Sequence, residues 1–254
     1  DDVDMLDCNQ CVSLGSIDSG LGVTLISGNT IAGQSNNIYL TGDGPQVSDN
    51  ILTGSYISVE ITGNSASIVR NDITEASSAG IMLRNGNGHV IQDNTSAQNY
   101  YGLYLQGNAS ASLVDGNTFN LNVVGIVLTN NASGHTITNN TISNSTQQGI
   151  WFINNPSNNH IHHNNIFNNL SQFELIAFTG TGNVWDDAAG EGNFWGDYSG
   201  ADDGSGGGAA GDGVGDTNLP HQGVDFFPLM DPLQLGGPLP PVQHTLTLVP
   251  AGNG

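Results

Sequence analysis

An asparagine returns along this chain at nearly fixed steps, each time inside the pattern apolar-x-x-Asn-x-apolar, and such self-similarity governs what a chain can fold into. The units are Ile26/Asn29/Ile31, Val47/Asn50/Leu52, Ile68/Asn71/Ile73, Ile91/Asn94/Ser96, Val114/Asn117/Phe119, Ile137/Asn140/Ile142 and Ile161/Asn164/Ile166. The asparagines advance by 21, 21, 23, 23, 23 and 24 residues. A second element, two apolar residues around one variable position, keeps the same period: Ile38/Leu40, Val59/Ile61, Ile81/Leu83, Leu103/Leu105, Ile126/Leu128, Ile150/Phe152 and Phe173/Leu175. Alternation this short marks strands, and the Gly, Asn and Ser between them mark turns.

A unit of this length cannot bury its own apolar face, so successive units must stack around one continuous core. The predicted fold is all-β: a right-handed parallel β-helix, a solenoid of about 7 to 8 coils, its hand following the preference for right-handed crossovers between parallel strands. A leucine-rich repeat has a similar period, but its consensus and its helical segment are both missing. The column Asn29, Asn50, Asn71, Asn94, Asn117, Asn140 and Asn164 is predicted to be a structural ladder, each inward amide bonding backbone in its own turn and the asparagine of the next coil. No catalytic residue is assigned to it.

In the second element the flanking residues point inward, so the variable residue must point outward: Tyr39, Glu60, Met82, Tyr104, Val127, Trp151 and Glu174. Met82, Tyr104, Val127 and Trp151 would then form an apolar stripe about 15 Å long, three coil steps of ~4.8 Å. With Tyr39 they are the expected partner surface, covered by the chain's own tail, by a neighbouring subunit, or by sugar rings stacked on Tyr104 and Trp151.

Against 23 acidic residues stand two basic ones, Arg70 and Arg84, for a formal charge of -21. That balance argues against nucleic acid and anionic membrane as partners, and no apolar run reaches the ~18 residues of a membrane span. Five acids fall in residues 1 to 20, eight in 21 to 183 and ten in 184 to 254, so the ends are acidic and the middle nearly neutral. Arg70 precedes its ladder asparagine and should pair with Asp49 or Asp93 on a neighbouring coil. Arg84, beside Thr62 and Gln106, is expected to lie on the surface without a partner.

Extracellular β-helices include pectate lyases and polygalacturonases, but the signs of such chemistry are thin here. No column of residues 21 to 183 carries carboxylates on successive coils, the simplest way to place a retaining pair ~5 Å apart, and there is neither a nucleophile elbow nor a phosphate loop. His160, His162 and His163 form one compact group, with no Cys or Met to complete a copper or zinc shell.

Cys8 and Cys11 are the two cysteines, and outside the cell a disulfide, local or between subunits, is the natural expectation. Asp1 reads as a mature terminus left after signal removal. Asn94, Asn108, Asn131, Asn139, Asn144 and Asn169 stand in Asn-x-Ser/Thr sequons and are candidates for glycosylation.

The segment after the repeats runs Val184-Trp185-Asp186-Asp187, then Gly192-Asn193-Phe194-Trp195-Gly196-Asp197-Tyr198, then Gly211-Asp212-Gly213-Val214-Gly215-Asp216 and Asp225-Phe226-Phe227-Pro228-Leu229-Met230. This order, over residues 21 to 232, resembles the NosD-type (CASH) β-helix repeat proteins of prokaryotic cell surfaces and periplasms. The resemblance implies the fold and, for most members, a surface module; one branch assists copper-site maturation in a reductase. The family's acidic loop resembles a calcium loop, but here the insertion Gly204 to Gly211 parts Asp202 and Asp203 from Asp212 and Asp216. Those four are the expected calcium ligands, calcium being the one cofactor anticipated.

Residues 1 to 20 are therefore expected to cap the solenoid or serve assembly, 21 to 183 to form it, 184 to 232 to close it, and 233 to 254 to make a Pro/Gly linker with a terminal strand at His244 to Val249. Two functions follow. The first is a structural cell-surface protein, extracellular or alternatively periplasmic, that associates with copies of itself or with other surface proteins into a filament, sheath or layer. The second is a β-helix that binds or cleaves a polysaccharide.

Overall fold

The structure, a computed structural model, describes residues 4–14, 25–176 and 180–235, with backbone alone for Asp4–Leu14 and Gln34. The linker and terminal strand expected beyond residue 235 lie outside the described residues, and so do the side chains of Cys8 and Cys11.

The described residues form a parallel β-helix and contain no helix. Each coil contributes a short strand to each of three faces. The first face stacks Leu25–Ser27, Gln46–Ser48, Ser67–Val69, Val90–Gln92, Leu113–Asp115, Thr136–Thr138 and His160–His162. The second begins in the first half of Thr30–Thr41 and continues through Ile51–Thr53, Asp72–Thr74, Thr95–Ala97, Thr118–Asn120, Thr141–Ser143, Asn165–Phe167 and Phe194–Trp195. The third takes the second half of Thr30–Thr41, then Ile57–Thr62, Ala79–Asn87, Tyr101–Ser110, Val124–Thr129, Gln148–Ile153 and Ser171–Ile176.

The alternation seen in the sequence sets what is inside. Ile68, Ile73, Ile81 and Leu83 of one coil, and their equivalents above and below, merge into one core. Truncating one such side chain to alanine costs ~2–5 kcal/mol.

The asparagine ladder is present residue for residue. Asn94 Nδ2 donates to Asn117 Oδ1 at 2.9 Å and to the Ile68 carbonyl at 2.8 Å, while the Asn94 backbone N–H donates to the same Oδ1 at 2.9 Å. The residue before each ladder asparagine, namely Gly28, Asp49, Arg70, Asp93, Gly116, Asn139 and His163, is left-handed, with φ between 54° and 72°. Most of these are not glycine, and the ladder's hydrogen bonds offset the steric cost. Arg70 stands in this column and pairs with Asp49, Nε to Oδ1 at 2.7 Å, as expected.

Two further corners have ladders of their own. At the one between the second and third faces, Ala76, Asn99 and Ser145 donate backbone N–H groups to Asn99, Asn122 and Asn169 respectively. At the other, imidazoles do the work of amides: His89 Nδ1 accepts from Ala66 N, His135 Nδ1 accepts from Ser112 N, and Asn159 Oδ1 accepts from His135 N. Burial pushes His89 below the usual histidine range and His135 down to about 4, so both rings are held neutral.

Coil stacking extends past both ends of the segment assigned to it. Asp4–Leu14 pairs in parallel with Thr30–Thr41, with register shifts on both sides of Cys8. At the other end Asn193 joins the ladder as an eighth member, accepting from Asn164 Nδ2 at 2.9 Å. Trp185 packs on Phe152 and Phe173, Trp195 packs on Trp185, and the two indoles close the core. Asp225, fully buried, follows Asn193 and accepts N–H groups from Asn193, Trp195 and Phe227.

The ladders also correct the glycosylation candidates. Asn94 and Asn169 are buried and donate their Nδ2 groups inside the coil, so neither can carry a glycan in the folded chain. Asn108 and Asn131 are exposed, Asn139 and Asn144 half-buried.

Candidate functional site

The third face carries two lines of outward side chains. Strand pairing aligns Tyr39, Glu60, Met82, Tyr104, Val127, Trp151 and Glu174 on successive coils, as the alternation requires. A second line runs Asn36, Ile57, Ala79, Tyr101 and Val124, with Gln148 and Ser171 paired further along. Simple alternation would send Tyr101 inward. A glycine intervenes on four coils: Gly80, Gly102, Gly125 and Gly149. A Cβ on Gly102 would sit 2.6 Å from the Gly125 carbonyl oxygen, so the coils approach too closely there for any side chain, and the chain turns its preceding residue outward.

Together the two lines make a small apolar cluster outside the solenoid. Ile57, Ala79 and Met82 are buried in it beneath Tyr101 and Tyr104. The Tyr101 ring meets Tyr104 at 5.2 Å and Tyr100 at 4.7 Å, both edge-on. Burial and the neighbouring tyrosines push the Tyr101 phenol up to about 12. The expected stripe needs correcting: Met82 is 6% exposed because it packs with Tyr101 and Tyr104, and Val127 is 0% exposed, a short side chain between Tyr104 and Trp151. Tyr39, Tyr104 and Trp151 remain half-buried and are what the stripe presents.

Each end of the stripe carries a carboxylate. Glu60, 7% exposed, accepts from Asn36 Nδ2 and Arg84 Nε. The expectation of an unpartnered Arg84 is thereby overturned. Thr62 pairs with Asn85 instead of Arg84, so Arg84 is an extra residue in its strand and reaches across the coil to Glu60. At the other end Glu174 accepts from Gln148 Nε2. Between them Trp151 Nε1 and Gln148 Oε1, one donor and one acceptor, are buried without a hydrogen-bond partner among the described residues.

The four acidic-loop residues use their carboxylates on their own backbone. Asp202 accepts from Gly211 N and Gly213 N, Asp203 from Ser205 N, Asp212 from Ala209 N and Val214 N, and Asp216 from Gly204 N. A tighter set of ligand atoms lies elsewhere. His163 Nε2, Asp187 and Glu191 offer atoms within 4.8 Å of one another, where the last coil meets the closing segment. His160 and His162 flank the buried Ile161 on the first face, while the left-handed His163 swings to the two acids. Sequence spacing could not bring in Asp187 and Glu191, since a closing loop separates them from the histidine.

The family described as periplasmic copper-binding protein NosD matches residues 11–200. The chain belongs to the NosD family. Among solved structures, the periplasmic alginate epimerase AlgG is similar at a TM-score of 0.57 and 18% identity, over 64% of this chain and 44% of that one. A double mutant of that epimerase gives 0.58 at 16% identity, over 72% and 48%. This NosD-family chain thus spans less than half the length of these structures, and the likeness is one of fold. No curated protein matches its sequence. No helix among the described residues is long and apolar enough to cross a membrane.

The family's description names copper, and His163, Asp187 and Glu191 are the residues that would hold it. One imidazole nitrogen and two carboxylates suit a divalent ion; cuprous copper selects sulfur ligands, which this group lacks. A divalent ion there would supply a charged cross-link between the last coil and the closing segment.

Proposed function

We propose that this NosD-family chain is a carbohydrate-binding β-helix of the periplasm or cell exterior, which lays a glycan along its third face. The observation that carries the reading is the platform of Tyr101, Tyr104 and Trp151, half-buried, stepped along the solenoid and bordered by Glu60, Gln148 and Glu174. Aromatic faces stack on the apolar faces of sugar rings while nearby polar groups meet hydroxyls. The fold shared with an epimerase of a polysaccharide supports the same direction.

Binding is favoured over cleavage. Glu60 and Glu174 stand five coil steps apart, about 24 Å at ~4.8 Å per step, well beyond the ~6.5–9.5 Å of an inverting pair. Self-assembly into a filament, sheath or layer was expected through the solenoid faces and a terminal strand; that strand, residues 244 to 249, lies outside the described residues.

A glycan array probed with the labelled protein tests the proposal. Retention of at least one polysaccharide class is expected, with Tyr104→Ala and Trp151→Ala each reducing it about tenfold or more while the circular dichroism spectrum stays unchanged. An array without signal, or binding indifferent to both substitutions, would overturn it.

A further inference from the structure

The charges on and around the platform restrict which glycan it can take. The whole chain has two basic side chains, and both are committed: Arg70 to Asp49 and Arg84 to Glu60. Neither outward line of the third face contains a histidine. A uronate polymer brings one negative charge per sugar to a surface with no free Lys or Arg to receive it, on a protein of net charge -21. Polyuronate is therefore disfavoured at every position along the third face.

The opposite charge has a place. Glu60 is neutralised by Arg84 and is almost fully buried, but Glu174 has no cationic partner among the described residues. It is half-buried, and among the described residues its side-chain donor is the neutral Gln148. The adjacent position on the preceding coil is Trp151, the neighbouring side chain in the same outward line. A protonated amine set there meets a carboxylate on one side and an indole face on the other, a salt bridge and a cation–π contact together.

We infer that the third face selects an amino-sugar polymer bearing free, protonated amines, with an ammonium group seated between Glu174 and Trp151. The inference rests on the carbohydrate-binding reading and narrows it to one glycan class. It also gives the platform a direction: the cationic sugar docks at the Glu174 end, and the tyrosine end at Tyr101 and Tyr104 stacks sugars regardless of charge.

Isothermal titration with three hexasaccharide probes decides it: a glucosamine oligomer at a pH where its amines are protonated, an N-acetylglucosamine oligomer and an oligouronate. The glucosamine oligomer should bind about tenfold more tightly than the acetylated one at low salt, with the advantage shrinking as salt rises, and the oligouronate should not bind. Glu174→Gln, which preserves shape and the contact with Gln148, should bring the two amino-sugar probes to equal affinity. Asp72→Asn, a charge removed from the second face, should leave the tenfold difference intact and so separates the site from general attraction to an acidic protein. Trp151→Phe serves where Trp151→Ala perturbs folding, and should weaken all binding.

Equal affinity for the two amino-sugar oligomers in the native protein, an advantage that survives Glu174→Gln, or tight binding of the oligouronate would each overturn the amine assignment while leaving the platform a glycan site. Failure of every glycan on the array to bind would remove the broader reading along with it.

Discussion

The Oδ2 atom of Asp225 receives the backbone N–H of Asn193 at 2.9 Å, so a ladder of asparagines ends on a carboxylate. An asparagine inside the ladder passes its amide on to the next coil, whereas an aspartate only accepts and so terminates the series. The same Oδ2 takes the indole N–H of Trp195 at 2.8 Å, and Oδ1 takes Phe227 N at 2.9 Å.

Asp225→Ala leaves those buried donors without acceptors. Stability should fall by roughly 3–5 kcal/mol, the range for stripping the partner from buried charged hydrogen bonds. Urea denaturation reads this directly, and a midpoint within error of the native protein would show that the cap is not where the solenoid is secured.

Much of the architecture could be read before any coordinates, because a β-helix repeats its register and asparagine is demanded at one corner of every coil. Asn29 to Asn164 and the outward line from Tyr39 to Glu174 fall where spacing puts them. What escaped was set by interactions between coils. The Tyr101 line depends on close backbone approach at Gly102 and Gly125, the Arg84–Glu60 pair on one extra residue in a strand, and the buried His89 and His135 on imidazoles standing in for asparagines. Asn193 was missed as a ladder member because 29 residues separate it from Asn164, outside the repeat's step. Asp187 and Glu191 reach His163 through a loop that has no periodicity.

His135 makes stability depend on pH. Its folded value is lowered to about 4 from 6.5, so the folded state resists protonation more than the unfolded chain does. Stability is then fully present above pH 6.5 and is lost as pH falls from there toward 4, by about 3 kcal/mol in all at ~1.4 kcal/mol per pH unit. Asn159 fills the same column one coil later, so His135→Asn should keep the turn and remove this share of the acid sensitivity. Denaturant midpoints at pH 7.5 and pH 4.5 that shift equally in both proteins would rule His135 out as the cause.

Arg84→Ala leaves the Glu60 carboxylate nearly buried with Asn36 as its remaining partner. Because the arginine itself is partly exposed, the expected loss is about 1–2 kcal/mol, less than the ~3–5 kcal/mol of a fully buried pair. Adding Glu60→Gln in the same chain should recover most of it. A double-mutant cycle with a coupling energy near zero would contradict the pairing.

Expression in a glycosylating host followed by peptide mass spectrometry should find glycans at Asn108 or Asn131 and none at Asn94 or Asn169. A glycan at Asn94 in folded, secreted protein would be incompatible with its place in the ladder.

The left-handed residue and ladder asparagine that open each coil also make the coil an exchangeable cassette. Residues 95–117 begin just after one ladder asparagine and end on the next, and removing them would join Asn94 to Thr118, restoring the Asn-Thr junction that Asn94 and Thr95 already make. The rod can therefore change length only in whole steps of ~4.8 Å. Each step adds or deletes one rung of all three faces at once, so the outward lines of the third face lengthen or shorten in the same register.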